Sequence, residues 1–172
     1  MRPHSRQILS VEEAFGRQGW HCDLVEGREV ARASFDMHHT RVDVIAQVFP
    51  QLNGLSVLSE NPLSAGERHR AAILELLARA NKQLTLGGFE YDLDREVLVF
   101  RQTNLFERER FDADIIASMV HTALAEMDRM VPYVSVVKNT RPELLADLDL
   151  RRLLEREDLL PPVPDGGEEE EY

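Results

Sequence analysis

His38 and His39, followed by Asp43, are donor types that a divalent metal accepts. Adjacent side chains in an extended segment point to opposite sides, so the two imidazoles cannot readily share one ion. A solvated turn is the better reading. Glu107, Glu109, Asp112 and Asp114 offer the paired carboxylates of glycosidase-like chemistry. That chemistry needs one carboxyl whose pKa is raised by burial, whereas Arg108 and Arg110 interleave here and hold their neighbours ionised. These residues read as a salt-bridged loop and a helix cap. Cys22 is the only cysteine, which excludes a disulfide framework and a cysteine-based zinc site. With no cationic neighbour on its face and no oriented base, it reads as a buried inert thiol. His69 and His121 each stand alone on a helical pattern and read as helix-flank residues rather than general bases. Leu86-Gly87-Gly88-Phe89 runs from helix to strand, the reverse of a phosphate cradle, in which glycines lead into a helix N-terminus. The glycines are turn formers. No catalytic set, metal set or cofactor motif emerges, so neither enzyme activity nor a cofactor is expected.

What remains are surfaces. Met119, Met127 and Met130 lie at helical spacing; a core stripe is the favoured reading, with an adaptable partner surface left open. Ile45 and Phe49 place apolar residues on the second face of a strand, more than one helix layer would bury. Leu144 and Leu148 belong to a leucine-rich segment. These seven residues form the expected partner surface, with a second copy of the chain and an unidentified protein or peptide as partners.

The elements that position them follow from periodicity. Ser10-Val-Glu-Glu13 has capping-box form and starts a helix at Val11, with Gly19 as its stop. Strands follow at Trp20–Leu24, Val30–Met37, Arg41–Phe49 and Leu55–Ser59, separated by turns at Glu26-Gly27-Arg28, His38-His39-Thr40 and Pro50–Gly54. Ser64-Ala-Gly-Glu67 is a second capping box and opens a helix to about Gln83, with Ile73, Leu76, Leu77 and Ala80 on one stripe. Phe89–Leu93 and Glu96–Phe106 read as a hairpin. Asp112 caps a long helix whose stripe includes Ile116, Val120, Ala123 and Met127. Pro132 crowds the carbonyl of Asp128 and predicts an end or kink there. The architecture is α+β, an antiparallel sheet of about five or six strands with helices packed largely on one face.

The chain has 172 residues and a formal charge of −11, of which residues 140–172 carry −7 through 11 acids and 4 bases. That balance argues against nucleic acid, which is held by lysine and arginine on phosphates. It argues equally against an anionic membrane surface. No apolar run has the length of a secretory signal or a membrane span, so the cytoplasm is the expected compartment.

Asn81-Lys-Gln-Leu-Thr-Leu-Gly-Gly-Phe89-Glu-Tyr-Asp92, followed by Val97-Leu-Val-Phe-Arg101, resembles the central signature of the bacterial YbjN family. Asp114–Tyr133, with Ala123-Leu124, Asp128 and Pro132-Tyr133, is similar to the family's long closing helix. The likeness covers roughly residues 8–138; the glycine before the phenylalanine is doubled here, and the segment from Arg141 onward is an addition. The resemblance implies a type III secretion chaperone-like fold that often pairs into homodimers. It also implies a role in sensory-transduction regulation, and it carries no catalytic residues.

The chain therefore divides into a YbjN-like domain over 1–139, a C-terminal amphipathic helix over 140–160 and a disordered acidic tail over 161–172. Between Leu144 and Leu154, six of eleven residues are leucines, so this helix is expected to dock its apolar face inward rather than stay exposed. The expected function is that of a non-catalytic regulatory or chaperone-like protein-binding domain, homodimeric. The alternative is a small-molecule-binding or hydrolytic protein whose site assembles from residues distant in sequence.

Overall fold

Alternation of apolar and polar residues defines the sheet. The computed structural model describes residues 4–160. Its strands are β1 (Asp23–Leu24), β2 (Val30–Asp36), β3 (Arg41–Phe49), β4 (Gly54–Pro62), β5 (Gly88–Asp92) and β6 (Val97–Leu105). They form one antiparallel sheet in the order β1-β2-β3-β4-β6-β5. One face is mostly apolar: Val42, Val44, Ala46 and Val48 of β3, Leu55 and Val57 of β4, and Leu98 and Phe100 of β6 are all buried. Helices α1 (Arg6–Arg17), α2 (Glu67–Asn81) and α3 (Ala113–Asn139) cover that face. Ser59 Oγ donates to the Ala123 carbonyl at 2.8 Å, and the Gln102 amide donates to the Met119 carbonyl, so two polar ties clamp α3 to the sheet centre.

Several boundaries differ from expectation. The first helix begins at Arg6, because Ser5 is its cap and accepts from Ile8 N at 3.2 Å. That start brings Ile8 into the buried stripe with Val11, Ala14 and Phe15, while Ser10 merely bonds the Arg6 carbonyl one turn back. Gly66, not Ser64, occupies the α2 cap position, without a side-chain bond. Leu63 and Ala65 on either side of Ser64 are buried, which turns Ser64 away from the helix. Trp20 and Cys22 lie outside the two-residue β1. Trp20 instead packs edge-on against Phe15, Phe35 and His121, at centroid distances of 5.5, 5.6 and 5.0 Å.

Helix α3 does not end at Pro132 but runs on to Asn139. Proline forfeits one amide bond, whereas Tyr133, Val134 and Val137 beyond it are buried. At roughly 1.5–3 kcal/mol per buried side chain this outweighs the loss.

The segment after α3 is not one helix. It comprises a 3-10 turn (Pro142–Asp147), the short helix α4 (Leu150–Leu154) and a second 3-10 turn (Glu157–Leu159). Even so, Leu150 and Leu153 are buried, and Leu145, Leu148, Leu154 and Leu159 pack against the core. The segment folds back on its own domain. His69 Nε2 bonds the Thr140 carbonyl at 2.7 Å, and Tyr133 donates its hydroxyl proton to the Arg156 carbonyl at 2.8 Å. The uneven leucine spacing explains the breaks: Leu144 and Leu145 cannot share one helical face with Leu150 and Leu153. The expected disordered tail lies outside the described residues.

Candidate functional site

The expected partner residues do not share one surface. Met127 and Met130 are fully buried under the sheet. They belong to the core, and the partner-surface reading is withdrawn for them: a stripe facing a sheet has no solvent side. Met119 is also buried, but it lines a cleft. Ile45 and Phe49 are half-buried on the outer face of β3, which no helix covers. Leu144 is exposed and Leu148 half-buried in the C-terminal segment. The histidines also separate. His39 donates its amide to buried Asp128 at 2.7 Å, tying the β2–β3 turn to α3, and His121 packs on Trp20. Among the described residues no three His, Cys, Asp or Glu side chains gather as a metal-ligand set. No described helix is long and apolar enough to cross a membrane.

The carboxylate cluster resolves into ion pairs and a cap. Arg110 meets Glu13 at 3.2 Å, and Arg6 meets Glu109 at 3.8 Å. Asp112 accepts from the amides of Asp114 and Ile115 at 2.9 and 3.1 Å. Arg17 and Arg110 hold the Glu13 carboxyl below the usual glutamate range, with the Arg17 hydrogen bond as the largest cause. Burial pushes the Cys22 thiol up, aided by the charges of Glu12 and Asp23.

The sheet is unfinished in more than one place: β2 runs on past its last β1 pair at Arg32, and β6 runs on past β5. Strand β5 stops pairing at Gly88 opposite Arg101, while β6 continues to Leu105. Phe106 N donates to the Asn53 carbonyl at 2.8 Å, and the Glu96 carbonyl accepts from Leu63 N at 2.8 Å. Even-numbered residues of β6 therefore direct their main-chain groups to the β4 side. By alternation Thr103 and Leu105 direct theirs to the other edge, beyond the last β5 pair. Among the described residues, the N–H and C=O of both stand without a partner.

Beside this edge lies a cleft of about 340 Å³. Gln102 and Asn104 form its floor, and Ile115, Ser118, Met119 and Thr122 of α3 form one wall. Leu86 and Gly87 form the other. Leu86 is 64% exposed, Ile115 42% and Leu105 67%, an apolar rim around an open edge. Gly87 has φ +71° and sits where a Cβ would lie 2.6 Å from Phe100 and 2.7 Å from the Arg101 carbonyl. Only glycine permits both that backbone and that approach. The chain thus turns off β6 sharply at Gly87 and leaves the edge uncovered.

The outer edge of β5, by contrast, is closed at Phe89. Asn81 Oδ1 accepts from Phe89 N at 2.7 Å, and its Nδ2 donates to the Phe89 carbonyl at 2.9 Å. One carboxamide imitates a neighbouring strand.

The YbjN family, described as "Putative bacterial sensory transduction regulator", matches residues 9–135. The chain belongs to the YbjN family. Its structure is similar to the crystal structure of YbjN from E. coli, titled "a putative transcription regulator". The TM-score is 0.54 at 10% identity, over 81% of this chain and 92% of that one. At that identity the likeness shows the fold. No curated protein matches the chain. The family match ends at residue 135, so the docked leucine-rich segment lies beyond it.

The sequence reading missed Thr103, Leu105, Leu86 and Ser118. The one signal was the unequal hairpin, whose second arm is far longer than its first.

Proposed function

We propose that this YbjN-family chain is a non-catalytic regulatory domain, chaperone-like in that it holds an extended segment of another protein along the open edge of β6. The observation that carries this reading is the pair Thr103 and Leu105, whose unpaired main-chain groups flank an apolar cleft. An extended chain laid there gains main-chain hydrogen bonds and places alternate side chains in the cleft. The same proposal includes a homodimer through the outer sheet face, where Ile45 and Phe49 are half-buried.

Random peptides displayed on phage and selected against the purified chain test the first part. Thr103→Pro removes an amide that faces the open edge, where proline is tolerated. Selected peptides are expected to bind the native chain and to lose binding to this variant at unchanged fold. Peptides that bind both equally would place the site elsewhere. For the dimer, sedimentation showing only monomer at ~100 μM, well above weak-dimer dissociation constants, would remove it.

A further inference from the structure

The charges around the β6 edge narrow the partner further, and this step rests on the edge-binding reading above. We infer that the segment held there is a basic one: an extended stretch with an apolar side chain for the cleft and a lysine or arginine placed against Asp114.

Asp114 is the only charged residue lining the cleft. It is exposed on the first turn of α3 and enters no ion pair among the described residues. Of the basic residues nearest along the sequence and sheet, Arg101 pairs with Glu90 at 3.0 Å and Arg110 with Glu13 at 3.2 Å, while the exposed Arg108 enters no ion pair among the described residues and does not line the cleft. The N-terminus of α3, which would otherwise draw an anion, already spends two free amides on the Asp112 carboxylate. An acidic or phosphorylated segment would therefore meet an uncompensated carboxylate and a capped helix end. A basic one meets a free partner.

Two other occupants fail on the same ground. The chain's own end, Glu168–Glu171, carries four acids and would face Asp114 with like charge. A second copy paired edge to edge would bring two Asp114 carboxylates together. At longer range the chain's net charge of −11 draws cationic segments toward the molecule and repels acidic ones. The geometry asks for alternation as well. Residues facing the inner side meet Leu86, Ile115 and Met119, and the basic residue lies two positions from the apolar anchor, on the same face.

Two fluorescent peptides test the inference. Both carry the β-prone core Thr-Val-Thr-Leu-Thr, flanked by lysines in one and by glutamates in the other, so that each flanking charge lies two positions from an apolar residue on the same face. They are titrated at low and high salt against the native chain, Asp114→Asn and Thr103→Pro. The lysine peptide is expected to bind the native chain roughly threefold to tenfold tighter than the glutamate peptide, with the gap shrinking in high salt. Asp114→Asn is expected to remove most of the gap while leaving the glutamate peptide's affinity unchanged or improved. Thr103→Pro is expected to weaken both. Equal binding of the two peptides to the native chain overturns the charge preference and leaves edge binding standing. A preference that survives Asp114→Asn moves its source away from this carboxylate and overturns the assignment. Failure of both peptides to bind, or binding that ignores Thr103→Pro, overturns the edge reading itself.

Discussion

Asn81 and Gly87 do more for this molecule than their size suggests. The Asn81 carboxamide supplies both bonds that a missing strand would give Phe89. Asn81→Ala leaves a partly buried amide and carbonyl unpaired, and is expected to cost about 1–3 kcal/mol in denaturant unfolding. A midpoint unchanged within error would mean that water replaces the carboxamide. Gly87→Ala combines a positive φ with a Cβ pressed on Phe100 and the Arg101 carbonyl. It is expected to lose about 1–3 kcal/mol and to shift resonances of the cleft residues. For Cys22, burial raises the thiol pKa, so the protonated form persists at neutral pH and labelling by a disulfide reagent is expected to be slower than for glutathione. Labelling at the glutathione rate would contradict that burial. At this scale the sequence was readable where a residue acts through its own backbone, as with the Asp112 cap. It was opaque where a partner arrives from far along the chain. Asp128 receiving the amide of His39, 89 residues away, leaves no local trace.

The elements were legible in proportion to their periodicity. β3 matches its expected span because its inward positions Val42, Val44, Ala46 and Val48 are apolar at every second residue. β4 runs longer than expected, since all of Gly54–Glu60 is buried and alternation vanishes in a central strand. Pro132 does not end α3, because burial farther along the helix overrides that local rule. The C-terminal segment shows the converse: its leucines forecast docking correctly, but not the broken path that docking takes. Leu153→Ala is expected to destabilise the chain by about 2–4 kcal/mol. Removing residues 140–172 is expected to expose apolar surface on α2 and α3, read as increased dye binding. Truncated protein with unchanged melting and dye response would show the segment to be dispensable. Acid should loosen the same segment. The Arg152 amide lowers the Asp149 carboxyl, and the Arg156 hydrogen bond lowers that of Asp158. Carboxyls lowered by folding stabilise above the ordinary aspartate value and lose that effect as pH falls through the folded value. Amide exchange over 140–160, divided by its intrinsic rate at each pH, should thus stay constant down to about pH 4 and rise only below it. A rise already between pH 7 and 5 would point to other groups.

At the level of the whole molecule, an amphipathic sheet has one face sealed by three helices and the other left to side chains. On that outer face Glu60 and Arg95 form two hydrogen bonds of 2.9 Å, and Leu58 and Val99 are buried without a helix over them. The fold class was legible from element order and from the family signature, because both reflect the core. The candidate site was not, because an unpaired edge is a property of where two strands end relative to each other. No residue type marks it. Site-resolved amide exchange reads that edge directly. In the free chain Gln102 and Asn104, whose amides face β4, should exchange slowly, while Thr103 and Leu105 exchange fast. With saturating lysine-flanked peptide, Thr103 and Leu105 should slow by roughly tenfold or more, and Gln102 and Asn104 should not change. Slow exchange of Thr103 and Leu105 in the free chain, or fast exchange with peptide bound, would contradict the open edge as the place where this protein holds its partner.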